Sequence, residues 1–176
     1  MNNVKCEIKK LVIPTYPEPA AEEMPMFAEN RVHQRTSGRP YPNKVVLRVD
    51  RENKIGKEYT VVVLGNEYLK IEILPEIGGR IYSALDKTTG YDFFYKQHVI
   101  KPALIGVLGS WISGGVEFNW PFHHRASGFM PCDFVTETLP DGTAVCHLSE
   151  RDPIDRMKGM VSIVLRPGEK RFETRM

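Results

Sequence analysis

Cysteine is scarce. Cys6, Cys132 and Cys146 form an odd, widely spaced set of three with no Cys-x-x-Cys pair, so the chain carries no recognisable zinc or dithiol framework and its thiols read as free and buried. Long apolar runs are missing too. No segment is long enough to span a bilayer and no secretory signal opens the chain, so a soluble, cytoplasmic protein without a membrane partner is expected. Charge of one sign is not in excess: 24 Lys and Arg against 22 Asp and Glu give a net +2, spread over short mixed patches such as Lys9-Lys10, which argues against nucleic acid as a partner. Gly-x-x-x-x-Gly-Lys, Gly-x-Gly-x-x-Gly, Gly-x-Ser-x-Gly and His-Glu-x-x-His are absent, which removes the commonest nucleotide, hydrolase and metalloprotease signatures.

What is present is enough for one domain with a core: 176 residues, 41% of them hydrophobic. Six of the 13 prolines fall between Pro14 and Pro42, where they rule out a long helix or a central strand, because proline lacks the donor and fixes its own backbone angle. Residues 1–43 are therefore expected to form an extended arm, with Phe27, Val32 and Tyr41 as its anchors. From Lys44 the pattern changes to period-two segments. Val45, Leu47 and Val49 alternate with Val46 and Arg48; "YTVVVL" and "EYLKIEIL" flank Gly65-Asn66 as a hairpin; then come "RIYSAL", "YDFFYK", "DFVTET", "TAVCHLS", "GMVSIVLR" and "KRFETRM". No window carries a capped helical stripe, so the fold class is all-β, an antiparallel sandwich spanning 44–176. The last strand pattern, with Phe172, Thr174 and Met176 on one face, runs to the final residue, which leads us to expect a fragment of a larger sandwich.

The densest chemistry lies in "GGVEFNWPFHHR", Gly114 to Arg125. Gly114-Gly115 permits close backbone approach, and Trp120-Pro121 forces a turning exit that presents Glu117, Asn119, His123, His124 and Arg125 where the chain changes direction. An aromatic face for a pyranose, with carboxylate, amide and guanidinium groups for its hydroxyls, is what a sugar site needs. The competing reading makes Trp111, Phe118, Trp120 and Phe122 core or edge aromatics and Glu117–Arg125 a surface ion pair. Adjacent histidines on an extended segment point to opposite sides, which argues against a metal held by His123, His124 and Glu117 together. Strand parity places His123 with Glu117, Asn119 and Arg125, and His124 on the other face. Arg80, beside Gly78-Gly79, either reaches a ligand or ends a strand. His33 and His98 read as solvated, His147 as structural.

"LPEIGGRIYSALDKTTGYDFFYK" followed by "GGVEFNWPFHHR" resembles the N-terminal half of the galactose mutarotase-like supersandwich. With "FAENRVHQRTSG" before it, the chain is most similar to the uncharacterised domain found ahead of tetratricopeptide repeats in large bacterial proteins, and Gly-Gly-x-x-x-x-Trp-Pro also resembles the hexose-phosphate mutarotase branch. The resemblance implies a concave face that binds a sugar ring without a cofactor. In such enzymes a histidine acid protonates the ring oxygen and a carboxylate base takes the anomeric proton. The histidine matches His123, or its neighbour His124. The family's glutamate base lies in the later half of the fold, past the position of Met176, and no residue here clearly replaces it. Carbohydrate binding is the function this implies, through Arg80, Glu117, Asn119, Trp120, His124 and Arg125 with His123 as acid. The alternatives are an active aldose 1-epimerase, or a structural domain whose partner is a C-terminal half or a helical repeat.

Overall fold

The computed structural model describes residues 3–17, 50–105, 109–119, 128, 130–151 and 156–176. Ten strands occupy them: β1 Lys5–Thr15, β2 Ile55–Gly65, β3 Leu69–Leu74, β4 Arg80–Asp86, β5 Pro102–Ile105, β6 Gly109–Ile112, β7 Asp133–Thr138, β8 Ala144–Arg151, β9 Lys158–Leu165 and β10 Phe172–Arg175. Among the described residues there is no α-helix, only a short 3-10 turn at Pro75–Ile77. The all-β expectation holds. One sheet has the order β1-β2-β3-β4, a second β10-β9-β8-β7, and β5-β6 form a two-stranded ribbon, all with antiparallel neighbours.

Alternation decides where each strand points. Val62, Leu64, Leu69, Ile71 and Ile73 of the first sheet meet Cys146, Leu148, Val161, Ile163 and Leu165 of the second in one core. The opposite parity of the first sheet feeds another core: Tyr59, Val61, Val63, Leu74 and Tyr82 pack with Ile100 and with Ile112 of the ribbon. Both faces of β2 are thus buried, which is why "VVVL" is a continuous apolar run instead of an alternating one. Between β2 and β3, Asn66 holds the turn, its Oδ1 accepting from the Tyr68 and Leu69 amides at 2.9 and 2.7 Å.

Two segments differ from the sequence reading. Lys5–Thr15, assigned there to the arm, is a strand paired with β2 along its whole length, at the edge of the sheet where Pro14 lacks no needed ladder bond. Residues 18–49, with Phe27, Val32, Tyr41 and the Val45–Val49 alternation, lie outside the described residues. "YDFFYK" is no strand. Asp92 makes one bridge to Leu85, and its carboxylate accepts from the Ser83 hydroxyl and from the Ala84 and Phe94 amides, turning the polar residue inward. Tyr91, Phe93 and Tyr95 are left exposed. No two of the three thiols form a disulfide; Cys146 is buried in the inter-sheet core with Cys6 and Cys132 partly buried against it, and burial pushes Cys146 up to about 12.

Candidate functional site

The site forms where the two Gly-Gly pairs of the sequence meet. Gly78 and Gly79 (φ 65° and 70°) end the 3-10 turn in the left-handed region, and a Cβ on Gly79 would lie 2.9 Å from Leu148 Cδ1, so only glycine lets β4 start this close to the second sheet. Within β4 itself comes a bulge. Glu72 pairs with Ser83 but Ile73 with Ile81, leaving Tyr82 as the extra residue. The bulge reverses the parity of what precedes it: Ile81 enters the inter-sheet core, while Arg80 turns to the outer side of the sheet, toward Gly114.

There Gly114 and Gly115 (φ 93° and 69°) close against β4. Val116 and Ile81 exchange backbone hydrogen bonds at 2.9 and 3.2 Å, and the Gly115 amide donates to the Tyr95 carbonyl at 2.8 Å. A Cβ on Gly115 would overlap the Ile81 carbonyl oxygen. The parity of the run then sorts its side chains. Val116 and Phe118 pack into the core, so Phe118 follows the core reading, and Glu117 takes the side of Arg80. Asn119 is exposed, and Gly128 sits so close to Glu117 that a Cβ would overlap its Oε1.

Arg80 is 3% exposed. Its Nη1 donates to the Gly114 carbonyl. Nε and Nη2, the two donors along one edge of the guanidinium, are buried without a hydrogen-bond partner among the described residues. Burial lowers the guanidinium's pKa, and the charge of Glu117 opposes that shift. Beside it the outer face of the sheet carries Glu72, held by Lys70 and Lys96 at 2.5 and 3.3 Å. Burial raises the Glu72 carboxyl, but the Lys70 hydrogen bond and the two ammonium charges outweigh it and leave it below the usual carboxylate range.

The structure therefore brings Arg80 and Glu117 together. It leaves Asn119 at the surface of the same run, while Trp120, His123, His124 and Arg125 lie outside the described residues. His147 bonds across the outer face of the second sheet, Nδ1 to Ser162 Oγ at 2.8 Å and Nε2 to Glu137 Oε1 at 2.9 Å. Sequence reasoning missed a cleft of about 240 Å³ beyond the ribbon, lined by Arg51, Gln97, Val99, Lys101, Trp111 and Ser113. Its signal was the alternation in β6: Ile112 packs inward, so Trp111 and Ser113 face out. Among the described residues no group of three or more His, Cys, Asp or Glu is placed to hold a metal, and no helix is long and apolar enough to cross a membrane.

The fold is similar to that of a TPR-domain containing protein from Parabacteroides distasonis ATCC 8503, with a TM-score of 0.82 at 21% identity over 98% of this chain. The chain spans 28% of the length of that protein. Residues 40–176 match the family profile described as "Domain of unknown function (DUF5107)". The match takes in both Gly-Gly pairs, the bulged strand between them and the whole second sheet, and the chain belongs to the DUF5107 family.

Proposed function

We propose that this chain binds carbohydrate, as the N-terminal part of a galactose mutarotase-like domain. The observation that carries this reading is the buried Arg80 edge: Nε–H and Nη2–H point along one side of a planar guanidinium without acceptors among the described residues, and Glu117 stands close enough to interact with its charge. A pair of neighbouring sugar hydroxyls complements such a pair of groups, since each hydroxyl oxygen accepts from arginine and each hydroxyl proton donates to a carboxylate. Asn119, and from the sequence Trp120 and His123, extend the same run with amide, aromatic and imidazole groups.

Titration calorimetry with a panel of mono- and oligosaccharides tests the reading. Binding should appear for at least one sugar and weaken about tenfold or more in Glu117→Gln and Arg80→Lys, as expected when a buried polar group loses its partner. Heat-silent titrations across the panel would overturn it. Polarimetry of freshly dissolved α-anomers, with and without the protein, decides whether binding extends to epimerase chemistry.

A second reading has its own support. Tyr91, Phe93 and Tyr95 form an exposed aromatic row, with the Tyr91 and Phe93 rings 6.3 Å apart, and the structurally similar protein is a TPR-domain containing protein. A surface of this kind suits packing against helical repeats. Tyr91→Ser with Tyr95→Ser would then abolish association with a repeat domain supplied in trans and leave sugar binding unchanged.

A further inference from the structure

We infer that the saccharide is anionic, and that the cleft beyond the ribbon holds its acidic substituent. This rests on the carbohydrate reading above and names the class of sugar. The cleft of about 240 Å³ is suited to a single ring, and its described lining holds two cations, Arg51 and Lys101, with no carboxylate. Asp50, one of the two acids that flank Arg51 in the sequence, is occupied elsewhere. Asp50 accepts from the Glu52 and Asn53 amides at 2.8 and 2.9 Å and from Asn53 Nδ2 at 3.0 Å, closing its own turn instead of neutralising Arg51. Lys101 stands over the Tyr16 ring at 4.8 Å, a contact that fixes the ammonium without cancelling its charge.

The rest of the lining suits the sugar itself. Trp111 offers an indole to the C–H face of a ring, and Gln97 and Ser113, 3.4 Å apart across the floor, supply amide and hydroxyl groups for its oxygens. The cleft also adjoins the Arg80 site. Ser113 precedes Gly114, whose carbonyl Arg80 holds, and the Gln97 carbonyl accepts from Tyr82 Oη at 3.0 Å on the bulge that turns Arg80 outward. One ligand of more than one ring thus meets arginine and glutamate at Gly114–Glu117 and two cations at the ribbon. A carboxylate on the ring and a phosphate ester share this chemistry.

The test is calorimetry of the chain with oligomers of galacturonate, glucuronate and mannuronate, with their neutral methyl esters, and with glucose 6-phosphate. At least one acid form should bind about tenfold tighter than its ester, weaken as salt rises, and fall to the ester's affinity in R51Q/K101Q, a pair of exposed positions whose folding is checked by circular dichroism. A preference for glucose 6-phosphate with the same dependence on Arg51 and Lys101 also upholds the inference and assigns the acid as a phosphate. Equal affinity for acid and ester, or R51Q/K101Q binding like the unaltered chain, overturns it; if Glu117→Gln still weakens that binding, the carbohydrate reading stands alone. Acid binding that needs Arg51 and Lys101 but ignores Arg80→Lys and Glu117→Gln upholds the cleft and removes the Arg80 site. If no saccharide binds, both fall.

Discussion

The two four-stranded sheets share one core but not one role. In the first sheet both faces are buried over the second half of β2, β3 and most of β4: Ile71 faces the second sheet and Leu74 faces the ribbon, each at 0% exposure. In the β7–β10 sheet β8 and β9 close the inner face while β7 and β10 hold no buried residue, and the outer face buries Val145 and Val164 but leaves Val135 61% and Met160 53% exposed and carries the Glu137–His147–Ser162 bonds. The first sheet is a middle layer and the second an outer one. The candidate site sits on the middle layer, where a second covering brings loops and ribbon against a rigid floor, and that is where buried charge such as Arg80 and Glu72 becomes possible.

The largest effect should come from emptying either side of the middle layer. Ile71→Ala and Leu74→Ala remove comparable volumes from the two cores, and each is expected to cost about 2–5 kcal/mol in urea denaturation. A Leu74→Ala variant as stable as the unaltered chain would show that the ribbon side is no core, and the contrast between the sheets would collapse.

Next in size is the seam that fastens the covering. Gly115 and Gly90 both have left-handed backbone, φ 69° and 75°, but a Cβ at Gly115 strikes the Ile81 carbonyl while one at Gly90 meets open space. Gly90→Ala should cost about 1 kcal/mol from backbone conformation alone, and Gly115→Ala about 3 kcal/mol or more because backbone must move as well. Equal costs would mean that the Gly115–Ile81 contact is loose in solution.

How much of this was legible follows from the same contrast. Strands with one partner face or two clean faces announced themselves: β3, β8 and β9 fall where their alternation placed them. β1 did not, because as an edge strand it exposes Ile8 and Val12, whose parity conflicts with a single buried face, and Pro14 suggested an arm. "YDFFYK" misled in the opposite way. Its alternation is real, but Asp92 and Phe94 take the inner side, Asp92 through three hydrogen bonds, while Tyr91, Phe93 and Tyr95 take the outer, which composition alone does not rank. At the site, both glycine pairs were visible; their meeting depends on the Tyr82 bulge, a single extra residue with no sequence mark.

A smaller, pH-dependent effect belongs to the outer layer. At the β9–β10 hairpin the Arg166 and Arg175 guanidinium groups, at 2.6 and 3.0 Å, hold the Glu173 carboxyl at about 2. A carboxylate with a depressed folded pKa contributes stability that is complete above the usual carboxylate range and is lost as pH falls through the folded value. Protection of β10 amides against hydrogen exchange, taken relative to the intrinsic rate at each pH, should therefore fall between about pH 4.5 and about pH 2, and Glu173→Gln should flatten that change. Since the pair is solvated, global stability should hardly register it. Protection of β10 that does not change with acid would show that the edge is held by Phe172 packed against the core and not by charge.

On the outer face of the second sheet a substitution should change almost nothing. Val135 lies on β7 at the edge of the second sheet, on the outer face opposite His147, and is 61% exposed. Val135→Thr keeps the branched shape that suits a strand and replaces a methyl that already faces water. Its stability should stay within about 0.5 kcal/mol of the unaltered chain. A loss of about 2 kcal/mol would be the signature of a buried methyl exchanged for a hydroxyl, and it would mean that in solution this face is covered, by a second copy or by residues 18–49 or another undescribed segment, making the second sheet a middle layer as well.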